Sequence, residues 1–216
     1  MGARDRDWCP VWLREAPYAP VFEVRDTQHK FGRYDPRTKT VDLCDLLKFH
    51  GHLCGGLVES AVSLRALFDV MFEDGVVDRT ELEIVSSNSA CVGDVAAYLT
   101  GARSRFNTHY IDKALAGGEF VVHRVSTGRT LHVRLDPALY PAATRELSRQ
   151  IAAGHYSPAD IDRFRDLQWA YARELVNRPP QASFHVDERP AFEPPERPCR
   201  DLGRRRDNDM KGVPRR

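Results

Sequence analysis

Phe49-His50-Gly51-His52-Leu53-Cys54-Gly55-Gly56-Leu57 is the stretch on which the reading of the chain turns. It stands between two segments with helical patterning. Upstream, Asp42 caps a short helix over 43–49, with Leu43, Leu46 and Leu47 on one face. Downstream, Leu57, Ala61, Leu64, Leu67, Phe68 and Met71 recur at three- and four-residue spacings, which predicts a helix over 57–72 that Asp74-Gly75 stops. Gly55-Gly56 permits a tight turn and a close approach of backbone to another group. His50, His52 and Cys54 alternate, and in an extended segment a spacing of two puts side chains on one face. Two imidazoles and a thiol are therefore candidate metal ligands. Imidazole with thiolate suits zinc, and also iron, copper or nickel. Cys54 precedes a helix start, where unpaired N–H groups and the helix dipole favour the thiolate.

A second segment has the same logic. Ser87-Asn88-Ser89-Ala90 reads as a turn after a strand over 81–86, and Cys91 starts a helix that ends at Thr100-Gly101. Asp94 lies three residues after Cys91, on its face. If the two helix starts meet, they form a polar pocket with two thiols, two imidazoles and a carboxylate. The candidate metal ligands are thus His50, His52, Cys54 and Cys91. Cys91, Asp94 and His109 are candidate catalytic groups, and Gly55, Gly56 and Asn88 candidate cofactor contacts. The bland reading is a loop His-x-His beside inert buried cysteines.

Around these segments the chain is ordinary. Its 216 residues suffice for one domain with a sizeable core, and 32 basic against 31 acidic side chains leave a formal charge of +1. That balance gives no global electrostatic reason to expect nucleic acid or an anionic membrane as partner. Apolar runs stay short of the roughly 18 residues of a membrane span. The start, Met1-Gly2-Ala3-Arg4-Asp5, is charged and unlike a signal peptide, so a cytoplasmic location is expected. Five cysteines, an odd number at long spacings, argue against disulfides in such a compartment, with Cys9 and Cys44 read as bland packing.

Residues 1–40 read as an N-terminal arm with short local structure, 41–186 as the metal-binding domain with C-terminal helices, and 187–216 as a polar, disordered tail. A hairpin over 120–125 and 129–135 turns at Thr127-Gly128, which makes His123 and His132 cross-strand partners. Helices follow over 142–153 and from the cap Ser157-Pro158-Ala159-Asp160 to about 177, where Pro179-Pro180 ends the second. Glu59 reads as a surface charge, or else as a base or a support for the ligands.

The first motif resembles the FHGHxCPGL hallmark of the formylmethanofuran dehydrogenase E-type (FmdE-like) family. Ser87-Asn88-Ser89-Ala90-Cys91-Val92-Gly93-Asp94 and Leu99-Thr100-Gly101 are similar to its second block, Asn/Asp-x-x-Cys-x-x-Asp-Ala followed by Thr-Gly. The hairpin, the Ser157-Pro158 helix and Phe184 fall where the family has them, so the likeness covers roughly residues 40–190. It implies an α+β core, a small mostly antiparallel sheet packed by helices, paired as a homodimer and carrying a metal near the His-Gly-His-x-Cys segment. Three departures stand out. Gly55 replaces the motif proline. Gly101-Ala102-Arg103 replaces Gly-Cys-Thr, so one family thiol is missing and the next segment, with Arg103, Arg105, His109 and Tyr110, is altered. Cys199 is all that remains of a C-terminal Cys-x-x-Cys zinc module.

These features predict a metal-dependent enzyme acting on a small polar metabolite, with zinc first among divalent transition metals and iron (including haem) or copper as alternatives. A non-catalytic carrier or sensor of a metal or metallocofactor is the second reading, and an accessory protein with a structural metal the third.

Overall fold

The structure, a computed structural model, describes residues 6–28 and 34–195. It is an α+β fold in which a largely antiparallel sheet is packed by helices. The central element is α3, Gly55–Met71, following α2, Leu43–His50. Leu57, Val58, Ala61, Val62, Leu64, Leu67 and Phe68 of α3 are all buried, and such a helix is apolar on nearly every side because it is enclosed on nearly every side. It packs on α4 (Ala90–Thr100), on α6 (Pro158–Val176) and on the large sheet.

That sheet has the order β5-β4-β6-β7-β8, built from β4 (Leu82–Ser86), β5 (His109–Ile111), β6 (Phe120–Arg124), β7 (Arg129–Leu135) and β8 (Phe184–Arg189). All its pairings are antiparallel except β4 with β5. Ile84, Val122 and Leu131 stand side by side in register and are buried, as are Phe120 and Val133. A second sheet, β2-β1-β3, joins β1 (Val21–Arg25), β2 (Lys39–Asp42) and β3 (Val76–Asp78). The remaining helices are the short α1 (Val11–Arg14) and α5 (Ala142–Ala152). Asp42 does cap α2, with Asp45 closing a reciprocal capping box, and Ser157 with Asp160 does the same for α6.

Several expectations are corrected. The arm has the expected short local structure and also joins the core: β1 pairs with both β2 and β3, and Leu13, Phe22 and Val24 are buried in it. Cys9 and Cys44 form a disulfide that ties the arm to α2. Arg6 pairs with Asp42 and, at 3.3 Å, with Asp45 at the start of the same helix. The hairpin loop is residues 125–128, closed by Gly128 N–H donating to the Arg124 carbonyl, so His123 faces Thr130 and His132 faces Val121. A slip of two residues keeps each side chain on its expected face while changing its partner. β8 carries the fold through Arg189, three residues into the expected tail. The rest of that tail from residue 196, Cys199 included, lies outside the described residues. Among the described residues no helix is long and apolar enough to cross a membrane.

Candidate metal centre

Three chain segments deliver the site. His50 is the last residue of α2, Cys54 is the N-cap of α3, and Cys91 lies in the first turn of α4. The linker between α2 and α3 reverses at Gly51, whose φ of 98° is left-handed and suits a residue without Cβ. One ligand atom from each of His50, Cys54 and Cys91 lies within 4.8 Å of the other two. The Cys54 Sγ to His50 Nε2 distance is 3.8 Å. Ligand atoms around a tetrahedral zinc stand about 3.5–3.8 Å apart, given Zn–S and Zn–N lengths near 2.3 and 2.0 Å. The donor set and its spread therefore fit a small borderline-soft cation with little contraction, and the cluster is a candidate metal-binding site.

Asp94, one helical turn beyond Cys91, holds His50 Nδ1 through Oδ2 at 2.8 Å. That bond points the other ring nitrogen at the thiols, the usual way a carboxylate orients a histidine ligand. The imidazole side chain is only 4% exposed. Cys54 Sγ accepts from Leu57 N–H at 3.4 Å, and Ser89 Oγ approaches Cys91 Sγ at 3.9 Å. A Cβ on Gly56 would stand 3.3 Å from Cys91 Sγ, so this glycine leaves the room that lets α3 meet α4. The hydrogen bond from Cys54 chiefly holds Cys91 down, to about 5, with Ser89 and the nearby His50 adding against desolvation. The same bond, with burial, pushes Cys54 up.

Cys91 also lines a cavity of about 670 Å³ walled by α3, α5, α6 and residues 116–118. Gly55, Gly56, Glu59, Tyr140, Thr144 and Tyr171 share that lining. α6 is pinned over the site because Trp169 Nε1–H donates to the Leu53 carbonyl at 3.3 Å.

The sequence-predicted residues divide cleanly. His50, Cys54, Cys91 and Asp94 come together, with Gly55 and Gly56 beside them. His52 is exposed, its ring 4.4 Å from that of His50 and outside the donor group. The alternation argument fails there because His50 belongs to a helix end and Cys54 to a helix start, not to one strand. Asn88 is exposed in the turn before α4 and does not line the cavity. His109 sits in β5 at 4% exposure, its Nε2 2.8 Å from Ser86 Oγ. Burial, with Arg103 nearby, lowers it to about 4, and it lies outside the three-residue donor group. His123 and His132 do not form a pair: His132 lies between Glu119 and Arg189, each at 2.6 Å, and His123 stacks on Phe192.

Glu59 overturns the surface reading. It is 5% exposed, and its oxygens accept from Gly118 N–H at 2.7 Å and from the Tyr171 hydroxyl at 2.9 Å. Burial raises its carboxyl. The available signal was that Val62 and Ala66, three and seven residues on and so on Glu59's own side of the helix, are apolar too, and a carboxylate among them demands partners.

Comparison with known proteins bears on this geometry. The family model "FmdE, Molybdenum formylmethanofuran dehydrogenase operon" matches residues 49–185, so it spans both cysteine segments and β4 to β7 and ends at the second residue of β8. Among solved structures, the chain is similar to a tungsten formylmethanofuran dehydrogenase FmdE-like protein from Syntrophus aciditrophicus. That likeness has 13% identity and a TM-score of 0.43, and covers 71% of this chain and 74% of that one. No curated protein matches the sequence.

Proposed function

The chain belongs to the FmdE family, and from that premise we propose that it is a metal-dependent enzyme acting on a small polar metabolite. His50, Cys54 and Cys91 hold one divalent transition metal, zinc before iron or copper. The observation that carries this reading is the donor triad with one of its members, Cys91, facing a cavity of about 670 Å³. Three protein ligands with a fourth position left to the cavity is the arrangement of catalytic rather than structural zinc. When bound, such an ion supplies Lewis acidity at that position.

The chain's own residues do the rest. Asp94 fixes the tautomer and direction of His50. Gly56 keeps Cys91 accessible from α3. Trp169 ties α6 to the linker that carries Cys54, through the Leu53 carbonyl. Convergence of the three donors on one point favours an ion over haem, whose axial ligands stand on opposite faces of a plane. His52 and Asn88 have no part in this proposal.

Pairing as a homodimer belongs to the same proposal and rests on the family likeness. The Cys9–Cys44 bond stands against the expected cytoplasmic location, because such bonds persist in oxidising compartments. Alkylation of the protein in intact cells before lysis decides: blocked Cys9 and Cys44 favour the cytoplasm, and a protected pair excludes it.

Cobalt substitution tests the metal reading. One Co(II) per chain should give intense visible d–d bands and a thiolate charge-transfer band, with the d–d pattern shifting when small anions are added. A pale six-coordinate spectrum, or a four-coordinate one that no anion alters, would overturn the open-site reading.

A further inference from the structure

The cavity that Cys91 lines carries other polar groups besides the thiol. Thr144 of α5 lines it at 1% exposure, and its buried Oγ1 has no hydrogen-bond partner among the described residues. A buried hydroxyl without a partner is costly, and a ligand oxygen is the kind of group that relieves it. Beside it, Arg145 lines the same cavity. Its guanidinium lies 5.5 Å over the Tyr140 ring and makes no ion pair among the described residues. The cavity's other arginine, Arg134, is already held by Asp187 at 2.9 Å. Leu135, Pro137 and Phe164 add apolar surface to the same lining. Glu59, on the same lining, is already engaged by the Gly118 N–H and the Tyr171 hydroxyl.

We propose that this cavity binds a small carboxylic acid with an apolar or aromatic body. The carboxylate sits on Arg145 and Thr144, and the body lies along Leu135, Pro137 and Phe164 towards Cys91. This assignment deepens the enzyme reading above and rests on it for the reacting end of the molecule. A guanidinium fork matches a carboxylate with two parallel hydrogen bonds. One unpaired arginine matches one negative charge. An ammonium group would be repelled by Arg145, which already occupies a Tyr140 face.

Calorimetric titration of the full chain, metal-free and zinc-loaded, with 3-phenylpropionate, 3-phenylpropanamide and 3-phenylpropylamine tests the proposal. The acid should bind about tenfold more tightly than the amide, the size of one charge-assisted pair, and the amine should not bind. Arg145→Gln should bring the acid down to the amide's affinity. Thr144→Val should weaken the acid while leaving the melting temperature of the free protein unchanged or higher, because the variant removes an unpartnered hydroxyl. Equal affinities for acid and amide, no heat with the acid at millimolar concentration, or an Arg145→Gln protein that still prefers the acid would each overturn it. The two readings fail separately. Absence of zinc binding with acid binding intact strikes only the metal site, whereas a zinc-loaded protein indifferent to the acid strikes only this pocket.

Discussion

Asp94 turns His50 from a nearby imidazole into a directed ligand, since a 2.8 Å bond at Nδ1 leaves Nε2 facing the thiols. Asp94→Asn keeps the size but removes the charge, and metal affinity should fall by about 10–100-fold. Competition with a chromophoric chelator measures this, and unchanged affinity would show that Asp94 does not orient the site. His109 acts instead through folding. Its folded pKa of about 4 lies below the ordinary histidine value, so between pH 4 and 6.5 the unfolded chain binds the extra proton. Its contribution is complete above pH 6.5 and is lost as pH falls towards 4, about 3 kcal/mol over that window at 1.36 kcal/mol per unit. His109→Gln, which can still meet Ser86, should flatten the stability profile there in denaturant titrations. Parallel profiles for the two proteins would contradict it. At this scale the sequence showed residue types well and direction poorly. His52 looked like a ligand because spacing carries no information about where a helix ends.

Among elements, helices were legible and isolated strands were not. Each helix of eight or more residues carries its own signal, whether the apolar periodicity of α3 or the Ser157–Asp160 capping box of α6. β3 and β5 are three residues long and gain their identity only from distant partners, Val24 with Val77 and Val85 with Tyr110. No local pattern could announce them. The disulfide was missed because an odd number of cysteines at long spacings was read for a reducing compartment, and the 35 residues between Cys9 and Cys44 carry no local sign that the two meet. That bond closes a loop whose entropy is worth about 3–4 kcal/mol. The double variant Cys9→Ser/Cys44→Ser should lose about that much in guanidinium unfolding, while metal content stays the same because the donors come from the far end of α2 and from α3 and α4. An equally stable double variant would show that the arm is held by packing and by Arg6 alone.

In the whole molecule, α3 is the axis that makes one site from separate segments. Its N-cap supplies Cys54, its first turn admits Cys91 through Gly56, and its second turn supplies Glu59 to the cavity wall. The pairing of two helix starts around cysteines was readable from the sequence. The cavity was not, because α5 and α6 reach it from a distant part of the chain. Metal analysis after purification without added metal, across a set of variants, tests the central claim most directly. The account predicts one transition metal per chain in the wild-type protein and in His52→Ala, and severe loss in His50→Ala, Cys54→Ala and Cys91→Ala with folding retained. A metal-free wild-type protein that stays so when offered zinc, or full occupancy in the three triad variants, would contradict it.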